Sequence, residues 1–252
     1  MNKPIIYVLS GLGLNCQNET ARAWEMTGAK AKIISLFEVK KNPRILLDAK
    51  ALTFPGGFSF GDEVAAGRLA ALFFKQHASQ EWHSVLESKI PILGICNGFQ
   101  ILCELDAFSQ SAGSQSITLA PNSQGVFSSE WQQVEVIEHP NSAWAHSWPK
   151  EHRIFSLPVR NFSGRLVVNN KIATEPAISP EQVFLRYRHD WNGSWMQAAA
   201  LLNPTGHILG LMPHPEGAVH DWQLPAMTSA TDKNFTCGNI FFQQAMSYIH
   251  QT

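Results

Sequence analysis

The segment Ile90-Pro-Ile-Leu-Gly-Ile-Cys96-Asn97-Gly98-Phe-Gln100-Ile-Leu sets one cysteine between an apolar run and a stretch with helical apolar spacing. Gly94 and Gly98 stand two residues to either side of Cys96. In this layout a strained strand-to-helix turn lifts a nucleophile clear of a sheet. A free thiol, with a pKa of ~8.5, is only a few per cent ionised near neutrality, so a thiol nucleophile calls for an imidazole beside it. Of the ten histidines, His214 has the most distinctive setting. It lies in Gly210-Leu-Met-Pro213-His214-Pro215-Glu216-Gly217, directly after an apolar run and stiffened by proline on both sides. Glu216 can accept from the ring nitrogen that does not face sulfur, fixing tautomer and orientation. Cys96, His214 and Glu216 are therefore read as nucleophile, base and orienter. Singly, each has a plainer reading: a small buried cysteine, or a turn containing His-Pro-Glu. The two together, each at the end of a predicted strand, favour catalysis.

Acyl transfer from such a cysteine needs donors aimed at the developing oxyanion, and a glycine-rich loop lets backbone N–H groups approach a substrate closely. Pro55-Gly56-Gly57-Phe58-Ser59-Phe60-Gly61-Asp62 is such a loop, and the amides of Gly57 and Asn97 are the candidates. It is not a phosphate cradle, since no Gly-Lys-Ser or Gly-Lys-Thr follows. Gly11-Leu-Gly13 has Cys16 at the third fingerprint position, which disfavours a dinucleotide site.

The elements that would position these residues alternate as β-α-β units around a parallel sheet. Strands are predicted at Ile5 to Leu9, Lys32 to Leu36, Ala51 to Phe54 and Ile90 to Ile95. Helices are predicted from Asn18 (as cap) to Thr27 with Gly28 as stop, over Val64 to Phe74, and over Glu81 to Ser88. The second half is richer in β-type alternation, with strands expected at Trp131 to Ile137, Arg165 to Val168, Val183 to Tyr187, Met196 to Leu202 and His207 to Met212, extending the same sheet. Cys237 to Ile249 reads as a closing helix, and His139 to His152 and Asn169 to Pro180 as surface loops. The fold class is α/β: a doubly wound, mostly parallel sheet with an antiparallel extension, in a single domain over residues 1–252.

The composition narrows the function classes. At 252 residues and 44% hydrophobic content the chain can bury a full core. Only 15% of residues are charged and the net charge is −1, which offers no electrostatic footprint for nucleic acid or an anionic membrane. The four cysteines, Cys16, Cys96, Cys103 and Cys237, have no C-x-x-C spacing and suggest a reducing compartment. No run has the length of a signal-peptide core or of a membrane span, so a cytoplasmic location is expected. Trp131, Trp144, Trp148, Trp191 and Trp195 read first as buried aromatics and second as a partner surface. His139, His146 and His152 read as loop residues rather than zinc ligands. Arg186, Arg188 and His189 read first as an exposed polar strand end and second as a partner contact.

Pro55 to Gly67, Gly94 to Leu102 and Met212-Pro-His214-Pro-Glu216 resemble class I glutamine amidotransferases, whose flavodoxin-like fold agrees with this reading. Within that group, Gly57-Phe-Ser-Phe-Gly61-Asp62 and Cys96-Asn97-Gly98 are most similar to the glutaminase subunits of phosphoribosylformylglycinamidine synthase. Gly13-Leu-Asn15-Cys16 and Asn192-Gly193-Ser194 extend the likeness over nearly the whole chain. The resemblance implies that Cys96 attacks the side-chain amide of glutamine, that Gly57 and Asn97 hold the oxyanion, and that Phe58 and Gln100 frame the substrate. It implies no cofactor or metal in this chain. ATP and magnesium are expected on a synthetase partner that converts formylglycinamide ribonucleotide to its amidine, with a small accessory subunit as a further partner.

Two departures stand out. Val159-Arg160-Asn161-Phe162-Ser163-Gly164-Arg165 replaces the family's Ala-His-Gly-Glu-Gly-Arg, which questions partner docking or acceptor identity. Gly217 follows His-Pro-Glu where the family tends to place arginine, so a charged contact near the site is expected to be missing. The alternatives are an amidotransferase serving another acceptor, a non-catalytic subunit of the same fold, and a cysteine peptidase built on a related elbow.

Overall fold

The computed structural model describes residues 3–109, 117–139, 141–168, 178–225 and 237–252. The first part of the chain runs β1 (Ile5–Ser10), α1 (Gln17–Met26), β2 (Lys30–Ser35), α2 (Leu36–Lys41), β3 (Ala51–Phe54), α3 (Arg68–Ser88), β4 (Ile92–Ile95) and α4 (Asn97–Glu104). It continues through β5 (Ile117–Ala120), β6 (Ser128–Val136), β7 (Ile154–Asn161), β8 (Arg165–Val168), β9 (Val183–Tyr187), β10 (Ala198–Leu202), β11 (Ile208–Leu211) and α5 (Gly238–Gln251).

Nine strands form one sheet in the order β2-β1-β3-β4-β11-β10-β9-β6-β7. The pairs β1–β2, β1–β3, β3–β4 and β4–β11 are parallel, and β10, β9, β6 and β7 add an antiparallel extension. Ile6, Tyr7, Val8 and Leu9 of β1 are all buried, the continuous apolar signature of a strand covered on both faces.

Successive residues of β3 show what covers each face, because strand side chains alternate. Thr53 accepts from Trp24 Nε1 of α1 at 2.9 Å, and Trp24 packs edge-on against Phe242 of α5. Phe54 packs against Phe74 and Trp82 of α3, while Phe99 of α4 meets Phe108. Burying each such ring contributes roughly 1.5–3 kcal/mol. The helix α4 lies unusually close to the strands, since a Cβ at Gly98 would fall 1.8 Å from the Phe54 carbonyl oxygen and one at Gly210 2.1 Å from Phe99 Cδ2.

Several expectations shift. Helix α1 begins one residue before Asn18, and its N-cap is Cys16, with no side-chain cap bond. The two helices read from Val64 to Phe74 and Glu81 to Ser88 are one helix, α3, starting after Gly67 (φ +79°) and kinked at Ala78. The strand Arg165–Val168 does not extend the main sheet: it pairs antiparallel with β5 in a two-stranded sheet of its own. Strand β7 was hidden by Pro158, which a central strand would not tolerate. As an edge strand it pairs within the sheet only with β6, Pro158 opposite Trp131. Most of the loop expected at Asn169 to Pro180 lies outside the described residues. Trp144 is fully buried, and Trp131, Trp148, Trp191 and Trp195 pack against the core, as the plainer reading had it.

Candidate active site

The parallel strands all end at one edge, where a doubly wound sheet places its ligands. Gly94 and Ile95 of β4 lie opposite Gly210 and Leu211 of β11, and Cys96 N–H donates to the Leu211 carbonyl at 2.8 Å. This register brings Cys96 and the Met212-Pro-His214 segment off the sheet side by side, although more than a hundred positions separate them in the chain. Cys96 caps α4 with φ 50° and ψ −105°. A non-glycine residue there is strained by an amount on the order of 1–3 kcal/mol, and the close glycine contacts around it hold it in place. Its Sγ lies 3.7 Å from the Arg160 carbonyl oxygen.

His214 N–H donates to the Pro158 carbonyl at 2.8 Å, so edge strand β7 fixes the backbone of the base. His214 Nδ1 and Glu216 Oε1 are 2.6 Å apart, and both residues are buried. Nε2 has no hydrogen-bond partner among the described residues. Burial opposes charge on this imidazole, but the Glu216 carboxylate, the Cys96 sulfur and a contact with Cys16 outweigh it and hold the pKa well above the ordinary value of 6.5.

Two cavities, of about 460 and 420 Å³, meet at this point and share Gly57, Phe58, Cys96 and Arg160 in their walls. Gly57 adopts φ +154°, and a Cβ there would sit 2.4 Å from the Gly13 carbonyl oxygen, so only glycine fits. Asn97 opens α4, which makes its N–H one of the first-turn donors without an intrahelical acceptor. The Asn97 side chain is structural. Its Oδ1 accepts from Ser59 N–H at 3.0 Å, and its Nδ2 donates to Gln100 Oε1 at 2.8 Å and to Asp62 Oδ1 at 3.2 Å. Gln100 lines the larger cavity, and its Nε2 donates to the Ser163 carbonyl at 2.7 Å. Phe58 is 45% exposed and meets Phe127 at the rim.

The structure adds residues to which sequence reasoning gave no role. Asp62 lies in the larger cavity, its pKa raised by burial against the Asn97 hydrogen bond. Asn122 pins the turn after β7, donating to the Asn161 carbonyl at 3.0 Å and accepting from Gly164 N–H at 3.2 Å. Only folding brings Asn122 to this turn, so no local signal marks it. Cys16 lies in the smaller cavity with His214. The two departures both resolve here. Asn161, Phe162 and Ser163 line the larger cavity, so the altered segment shares a wall with Cys96 and Gln100. The charge expected to be missing at Gly217 is present nearby: a Cβ there would stand in ordinary contact with Arg160 Nη2, at 3.5 Å.

Among the described residues, Cys16, His214 and Glu216 bring ligand atoms within 4.8 Å of one another. No helix of the described residues is long and apolar enough to cross a membrane. Arg188 pairs with Glu135 at 3.4 Å, and His139 Nε2 bonds the Val183 carbonyl at 3.0 Å, so neither belongs to the site.

Comparison with known proteins converges on the same chemistry. The model of the CobB/CobQ-like glutamine amidotransferase domain matches residues 3–249. The phosphoribosylformylglycinamidine synthase subunit PurQ of Methanococcus maripaludis is 30% identical over 236 residues, covering 88% of this chain and 86% of the relative. That of Thermotoga maritima is 32% identical over 219 residues, covering 87% and 90%. Among solved structures, a chain of PurLQS from Thermotoga maritima superimposes with a TM-score of 0.77 at 29% identity, covering 98% of this chain and 100% of that one. A second glutamine amidotransferase of Thermotoga maritima, at 12% identity and a TM-score of 0.58, shares the fold.

Proposed function

The chain belongs to the CobB/CobQ-like glutamine amidotransferase family, and within it we propose that this enzyme is the glutaminase subunit of a phosphoribosylformylglycinamidine synthase. Cys96 Sγ attacks the side-chain amide carbon of glutamine, and the thiol proton passes through His214 to the departing nitrogen, which leaves as ammonia. Water then attacks the γ-glutamyl thioester with His214 as base, releasing glutamate and restoring the thiol. Glu216 keeps Nδ1 protonated so that Nε2 faces the reacting atoms. The N–H groups of Gly57 and Asn97 stabilise the oxyanion, and Phe58 and Gln100 frame the substrate.

Ammonia passes to a synthetase subunit that holds ATP and magnesium and converts formylglycinamide ribonucleotide to the amidine in purine biosynthesis. A small accessory subunit completes the assembly, in the cytoplasm. The observation that carries this reading is the buried His214–Glu216 pair opening onto the cavity wall that holds Cys96 and Gly57. The altered segment contributes Arg160, Asn161, Phe162 and Ser163 to the cavity that holds Cys96, which supports a role for it in holding glutamine.

The test is glutamate release by the purified chain, with and without the synthetase. Cys96→Ala is expected to abolish release while leaving the circular dichroism spectrum unchanged, and equal activity in that variant would exclude the mechanism. Complementation of a strain lacking this purine step checks the acceptor.

A further inference from the structure

The smaller cavity contains a thiol that the proposed chemistry does not use. Cys16 is half-exposed, caps α1 and lines the wall that also holds Cys96 and His214. Its Sγ sits 3.6 Å from Asn15 Oδ1, a weak contact between neighbouring residues. Gly56 opens the space between this sulfur and the imidazole: a Cβ there would lie 3.2 Å from Cys16 Sγ and 2.7 Å from His214 Cε1. Cys16 Sγ, a His214 ring nitrogen and a Glu216 carboxylate oxygen all fall within 4.8 Å of one another. Glu216 Oε2, buried in this group, has no hydrogen-bond partner among the described residues.

We propose that Cys16, His214 and Glu216 form an inhibitory site for a zinc-class divalent cation. One thiolate, one imidazole and one carboxylate are the ligand types such an ion takes, and three protein ligands leave a fourth position open toward the cavity. Ligand atoms of a tetrahedral zinc site lie roughly 3.3–3.8 Å apart given bonds of about 2.0–2.3 Å. The 2.6 Å His214–Glu216 contact opens as the ion enters between the two groups. Binding releases the Cys16 thiol proton and the His214 Nδ1 proton to solvent and leaves Cys96 unmodified. The ion stops catalysis through the base: bound at Nδ1, on the side of the ring that faces Glu216, it leaves Nε2 only as a donor, with no lone pair for the Cys96 proton. Half-exposed Cys16 gives the ion a path from solvent.

This inference deepens the proposed glutaminase reading by regulating the same site, and its test separates the two. Zinc chloride is titrated against glutamate release by the full chain, and cadmium chloride against its ultraviolet thiolate-to-metal charge-transfer absorbance. Wild type is expected to be inhibited reversibly, with activity restored by a chelator. Cys16→Ser and Cys16→Ala are each compared with their own zinc-free rate and pH profile, and the zinc inhibition constant is expected to rise at least ~10-fold, the scale on which lost ligand support weakens metal affinity. The inactive Cys96→Ala variant is expected to keep the cadmium band, and a Cys16→Ala/Cys96→Ala double variant to lose it. A chain without glutaminase activity that still shows a Cys16-dependent band would overturn the proposed function and leave the metal site standing. Equal zinc sensitivity in wild type and Cys16→Ser, or a cadmium band that depends on Cys96 alone, would overturn the site.

Discussion

Burial and charge pull the His214 imidazole in opposite directions, and charge wins: Glu216 and the two sulfurs hold its pKa above the ordinary 6.5 despite full burial. Glu216→Gln removes the main opposing charge, so the imidazolium is lost at lower pH. The alkaline limb of the glutaminase profile is expected to move down, and kcat to fall by roughly 10²–10⁴-fold, the usual worth of an oriented acid–base group. Steady-state kinetics across pH check both. Linkage fixes a second sign. Because the folded pKa is raised, the stability contributed by the imidazolium is present below the unfolded pKa and is lost as pH rises through the folded value. Urea midpoints at acid and alkaline pH are expected to show that loss in wild type and less of it in Glu216→Gln.

At the scale of elements, the site depends on how near α4 comes to the sheet. Gly98→Ala would press a Cβ into the Phe54 carbonyl, and backbone cannot yield as a flexible side chain does. The expected cost is about 3 kcal/mol or more, read as a lower urea midpoint, with activity falling further because Cys96 moves with α4. Asn122 acts at longer range, its amide holding both ends of the turn from Asn161 to Gly164. Asn122→Ala leaves buried backbone groups unpaired at roughly 1–3 kcal/mol. Since that turn walls the substrate cavity, KM for glutamine is expected to rise more than kcat falls.

At the scale of the whole molecule, one continuous nine-stranded sheet carries both halves of the site, so nucleophile and base are expected to be lost together. Thermal unfolding followed by tryptophan fluorescence and by thiol labelling of Cys96 is expected to give coincident transitions. Separated midpoints would show that the antiparallel extension melts on its own. Residue types within a short window were enough to mark Cys96 at its strand-to-helix turn, the His-Pro-Glu segment, the glycine-rich loop and the parallel strands, because glycine, proline and apolar periodicity act over a few neighbours. Pairing across distant segments is invisible at that range. Tertiary structure alone decided that β7 runs along an edge and anchors His214 through Pro158, that the Arg160 guanidinium reaches Gly217, and that Cys16 stands beside the base. Each of these depends on sheet register and close packing, which join residues that share no local sequence signal.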